Sequence, residues 1–149
     1  MPTTSDRVLV DTNVLLAATD GDRRGHRQAV RFLETDDREL VVTSQIVREF
    51  LSAATRPAAS NGLGLDGEVA VDYLEDLLME VDVLPDSSTA LSMLYGFVMR
   101  GVVSGQKVHD AHLVAQAIHH EVGTVVTDNL RHFRRFADLI TIESLVEED

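Results

Sequence analysis

Short, unbroken apolar runs alternate along the chain with longer stretches of helical period. Val8-Leu9-Val10, Leu40-Val41-Val42, Val83-Leu84, Thr124-Val125-Val126 and Leu139-Ile140-Thr141-Ile142 predict strands. Most are too continuously apolar for a sheet with one wet face, so they predict parallel strands covered on both sides. Between them, Ile46, Val47, Phe50, Leu51 and Ala54 mark one face of a helix that Pro57 stops. Ala70, Tyr73, Leu74, Leu77, Leu78 and Val81 mark another, with Asp66 placed to cap it. Ser87 heads a third helix, carrying Ala90, Leu91, Leu94 and Val98 and closing near Gly101. Leu113, Val114, Ala117 and Ile118 mark a fourth that ends at Gly123, and residues 26–34 also read as helical. Strands alternating with helices predict βαβ units, hence an α/β domain. Residues 58–64, Ala-Ala-Ser-Asn-Gly-Leu-Gly, form the most flexible-looking connection, yet nothing around them has a linker's composition.

Length and composition narrow the picture. At 149 residues and 44% hydrophobic, the chain suits one domain over 1–149. It has no cysteine, which excludes disulfide scaffolds, thiolate metal sites and cysteine nucleophiles. No apolar run reaches membrane-spanning length, and residues 1–7 lack the apolar core of a secretion signal. A cytoplasmic protein without a membrane partner is the expectation.

Asp and Glu total 25 against 13 Lys and Arg, a net charge of −12 that argues against a general nucleic-acid binder. The deficit is uneven: Arg23, Arg24, Arg27 and Arg31 form one basic segment, and Arg131, His132, Arg134 and Arg135 another. Either cluster also reads as a solvated face. Lys107 is the sole lysine, a balance compatible with salt adaptation or with a GC-rich genome.

In an open parallel sheet, ligands gather beyond the carboxyl ends of the strands. Asp11 follows the first apolar run at once, with Thr12 and Asn13 behind it. Asp128 follows Thr127, with Asn129 behind it, and Thr43 and Ser44 lead into the helix carrying Glu49. Asp110 falls on the apolar stripe of the fourth helix, where an ionised acid is costly unless capped, paired or metal-bound. Taken singly, Asp110 also reads as a helix cap, Glu49 as a partner of Arg48 or Arg56, and Asp11 and Asp128 as turn residues. Taken together, they crowd carboxylates at one sheet edge, which requires a compensating cation. An all-oxygen donor set selects Mg²⁺ or Mn²⁺ over zinc and suits phosphate-ester hydrolysis. Asn13, Thr43, Ser44, Thr127 and Asn129 are the candidate hydrogen-bonding supports of these carboxylates. The six histidines form no H-E-x-x-H, and phosphate-loop, dinucleotide and nucleophile-elbow glycine motifs are missing.

Four ordered segments carry a resemblance. Residues 8–16 (VLVDTNVLL), 42–50 (VTSQIVREF, running on to Thr55-Arg56-Pro57), 108–115 (VHDAHLVA) and 125–133 (VVTDNLRHF) resemble PIN-domain nucleases, especially VapC-type toxins of toxin–antitoxin systems. The resemblance implies a PIN-like three-layer fold, with a central, mostly parallel sheet flanked by helices. It implies an Mg²⁺- or Mn²⁺-dependent endoribonuclease with Asp11, Glu49 and Asp110 as metal-organising acids. Asp128 is ranked ahead of Asn129 for a fourth acidic position because only Asp128 carries charge. It further implies a homodimer, a structured RNA substrate and an inhibitory antitoxin protein. A PIN-fold module that binds RNA or protein without turnover is the main alternative. A phosphatase fits less well, because Asn13 stands where an aspartyl-nucleophile enzyme commonly has its second Asp.

Overall fold

The computed structural model describes residues 6–145; residues 1–5, part of the segment inspected for a secretion signal, lie outside them. The element order is β1 (Arg7–Val10), α1 (Thr12–Thr19), α2 (His26–Thr35), β2 (Glu39–Thr43), α3 (Ser44–Thr55), α4 (Gly67–Leu77), β3 (Asp82–Leu84), α5 (Ser88–Met99), α6 (Lys107–His119), β4 (Thr124–Thr127) and β5 (Thr141–Ser144). Short 3-10 turns occupy Ala58–Ser60, Leu130–His132 and Arg134–Phe136.

All strand pairs are parallel, in the order β3-β2-β1-β4-β5. The chain steps outward from β1 to β3, then returns across the sheet to β4. Right-handed crossovers in opposite directions put the connecting helices on opposite faces. Accordingly α1 packs on α2 and α3, α3 on α4, and α5 on α6, giving three layers. β1, β2 and β4 are buried almost throughout, as continuously apolar strands should be, whereas the edge strands β3 and β5 are largely exposed. No helix among the described residues is long and apolar enough to cross a membrane.

Several boundaries differ from the sequence expectation. α1 was not anticipated: eight residues directly after a strand are too few to display a helical period, and five of them are buried. α4 ends at Leu77, so Leu78 and Val81 lie in the turn that follows; Asp66 is its N-cap but makes no side-chain capping bond. α6 stops at His119, ahead of Gly123, because Glu121 takes the left-handed conformation (φ 58°) and Val122 N–H closes back on the Ala117 carbonyl. β5 begins at Thr141, two residues late, since the Leu139 and Ile140 amides both bond to the Phe136 carbonyl. Ser87 does cap α5, accepting from the Thr89 and Ala90 amides, and Gly101 closes it at φ 73°.

Candidate active site

The strand order reverses between β1 and β4, and there the sheet opens a crevice at its carboxyl edge. Asp11 leaves β1 into this crevice as the N-cap of α1, 7% exposed. Its Oδ1 accepts from the Thr12 amide (2.8 Å), and its Oδ2 accepts from the hydroxyl of Thr127 at the end of β4 (2.8 Å). Thr127 Oγ1 in turn accepts from the Asn129 amide (3.0 Å). A chain of hydrogen bonds therefore ties the two strands at the switch point and sets the rotamer of Asp11.

Glu49 arrives from α3. Its Oε2 accepts from the Thr12 hydroxyl (2.8 Å), and its Oε1 accepts from Gln45 Nε2 one turn earlier (2.9 Å). The same Gln45 nitrogen also donates to the His109 carbonyl (3.0 Å), next to Asp110, so one buried amide joins the helices bearing the second and third acids. Asp110 stands in the first turn of α6, where the helix end favours negative charge.

Asp11, Glu49 and Asp110 line one cavity of about 460 Å³, together with Thr12, Asn13 and Leu16 of α1, Arg48, Ser52, Ala53 and Arg56 on and just after α3, and His132. Burial pushes the Asp11 carboxyl up to about 7, against the pull of Thr127 and Thr12, with the Glu49 and Asp110 charges adding to the rise. Burial also raises Asp110; His132 opposes that rise, Glu49 reinforces it, and Lys107 and Arg135 oppose it. Among the described residues, no arginine, lysine or histidine forms an ion pair with any of the three acids.

Not every predicted residue joins this group. Asp128 is half-buried in the bend after β4 and does not line the cavity. Asn129 turns its side chain to His132, with Nδ2 3.1 Å from Nε2, and it is His132 that reaches the cavity. Thr43 caps α3 by accepting from the Ile46 amide, and Ser44 donates to Asp86, so neither supports the carboxylates. That work falls to Thr127, Thr12 and Gln45. Thr12 was legible as a polar residue at the strand end; Gln45 was legible only as the residue four before Glu49 on a helix.

The donor set fits a hard divalent cation: carboxylate oxygens, with two carboxyls, Asp11 and Asp110, raised by burial and by like-charged neighbours, which a cation would relieve. Among the described residues, no three His, Asp or Glu side chains are closed into a coordination group.

The fold and this acid-lined crevice define a parallel α/β domain with a carboxylate site at its switch point. A family model, PIN domain, matches residues 8–139, and the chain belongs to that family. Among solved structures it is similar to DNA-bound VapBC from Salmonella typhimurium (TM-score 0.67, 22% identity, covering 94% of this chain and 98% of that one). It is also similar to VapBC2 from Rickettsia felis bound to a promoter DNA fragment (0.65, 15%, 93% and 98%). A third likeness is to VapC20 from Mycobacterium tuberculosis, a sarcin-ricin loop cleaving toxin (0.62, 14%, 79% and 86%). At these identities the likeness is one of fold. No curated protein matches the sequence significantly.

Proposed function

We propose that the chain is a metal-dependent endoribonuclease and the toxin of a toxin–antitoxin pair, acting in the cytoplasm. The observation that carries this reading is the convergence of Asp11, Glu49 and Asp110, from three elements, on one cavity with no cation among the described residues in an ion pair with them. In this reading the three acids hold Mg²⁺ or Mn²⁺, with Asp128 adding charge from outside the lining. The ion would polarise the phosphoryl oxygens, orient the attacking water and stabilise the departing oxygen. The protein supplies orientation: Thr127 and Thr12 fix Asp11, while Thr12 and Gln45 fix Glu49. Arg48, Arg56 and His132 face the cavity as donors for a bound phosphodiester.

VapBC complexes among the structural neighbours support an antitoxin partner, and the sarcin-ricin loop cleaver supports a structured RNA substrate. Exposed Leu91, Tyr95, Val98 and Met99 on α5 support a homodimer.

The test is cleavage of an RNA pool with Mg²⁺ or Mn²⁺, added and then chelated, by wild type, Asp11→Asn and Asp110→Asn. Metal-dependent cutting by wild type alone is expected; equal activity in all three proteins would overturn the assignment. The open spacing of the acids favours a second reading, a module that binds without turnover. Stable RNA binding with no cutting under either metal would select it.

A further inference from the structure

The cavity extends well beyond the acids. Glu49, Ser52, Ala53 and Arg56 fall at i, i+3, i+4 and i+7, so one stripe running from α3 into its C-cap forms a wall, and Asn13 and Leu16 of α1 line the cavity with it. Arg56 thus lies two helical turns from Glu49, roughly 10 Å along the axis. It is exposed and has no acidic partner among the described residues.

Its backbone, by contrast, is firmly held. Residues 57–65 fold back on the end of α3: the Leu63, Leu65 and Gly64 amides donate to the Ala53, Ala54 and Arg56 carbonyls (3.1, 2.9 and 2.8 Å). Asn61 and Gly64 take the left-handed conformation (φ 65° and 66°), and a Cβ at residue 62 would overlap the Arg56 carbonyl oxygen and Cβ. The stretch that looked flexible in sequence is a clasp built against the last turn of α3 and its C-cap, Arg56. Apart from the His132 imidazole, no aromatic side chain among the described residues lines the cavity, so these residues offer bases no stacking platform.

Resting on the nuclease reading, we propose that Arg56 is a substrate-positioning residue, presented by the 57–65 clasp to a phosphate of the RNA strand away from the reacting one. The strand then runs along α3 and is gripped by its backbone, independently of base identity.

Binding separates this claim from the nuclease reading. The probe is a labelled single-stranded oligoribonucleotide of about 12 nucleotides, titrated with protein carrying Asp11→Asn so that no cutting intervenes. Adding Arg56→Gln is expected to weaken binding about fivefold and to flatten the log–log salt dependence by about 0.7. Arg56→Lys should keep the slope. Gly62→Ala should lose affinity while retaining the charge, with thermal unfolding confirming that it folds. Poly-A and poly-U should bind within about threefold of each other. In the cleaving protein, Arg56→Gln should raise KM about fivefold and leave kcat within about twofold. Unchanged affinity and slope in Arg56→Gln, or a strong base preference, overturns the proposal even if RNA is cut. If wild type never cuts, the binding results still decide the role of Arg56.

Discussion

Two carboxylates near two cavities in this molecule have opposite fates. The larger cavity, about 570 Å³, lies under α1, α2 and α4 and includes Asp36 and Arg38 among apolar residues such as Leu33, Leu40 and Leu77. There Arg38 bonds both oxygens of Asp36 (3.0 and 2.8 Å) and reaches Glu143 on β5, and Asp36 is held below its ordinary range by that guanidinium. Asp11 in the smaller cavity accepts only hydroxyl and amide hydrogens and is raised to about 7. Volume therefore does not tell an ion-paired acid from one left among neutral donors. A guanidinium neutralises one acid and stabilises the fold; the other has no countercharge paired to it among the described residues, a condition that favours a ligand over stability.

The comparison can be broken by substitution. Asp11→Asn should reduce RNA cleavage at least about 10²–10³-fold, whereas Asp36→Asn should leave the rate within about twofold; a single-turnover assay on both reads the contrast. Stability should move the other way. Because folding raises the Asp11 pKa from 3.8 to about 7, its contribution is fully present below pH 4 and is lost as pH rises through 7. That loss amounts to about 4 kcal/mol at most. Metal-free Asp11→Asn should thus gain about 1–3 kcal/mol over wild type at pH 8 in urea unfolding, and the gain should shrink as pH falls and vanish below about pH 4. Mg²⁺ should raise the melting temperature of wild type and not of the variant. Thr127→Val should cost about 1 kcal/mol and shift the acid limb of the pH–rate profile upward, since Asp11 loses the hydroxyl that favours its ionised form. The smallest effect belongs to Asp36→Asn: about 0.5–1 kcal/mol at pH 7. Its sign is opposite, present above the ordinary carboxylate pKa and lost as pH falls below it.

Much of this was legible before any coordinates. Continuous apolar runs named all five strands, and a parallel sheet turned residues that follow strands into candidates, which is how Asp11 was found. Asp110 stood out as a charge on an apolar stripe. What stayed hidden depends on partners remote in sequence. The bond from Thr127 to Asp11 spans 116 positions, and Gln45 bridges to a carbonyl 64 residues away. The same blindness hid α1, too short for a period, and the rigidity of residues 57–65, whose order comes from the end of α3. Thr43 and Ser44 look equivalent to Thr127 as polar residues at a strand end, but a neighbouring amide and Asp86 claim them first.

The hydrogen bond that bridges β1 and β4 has a consequence for biosynthesis. The elements that build the crevice span residues 11 to 132, and the strand that locks Asp11 is made late. A chain still emerging from the ribosome therefore carries its first acid without the hydroxyl that aims it. The orientation of Asp11 therefore depends on β4 docking beside β1, and a chain cut before Thr127 lacks that bond.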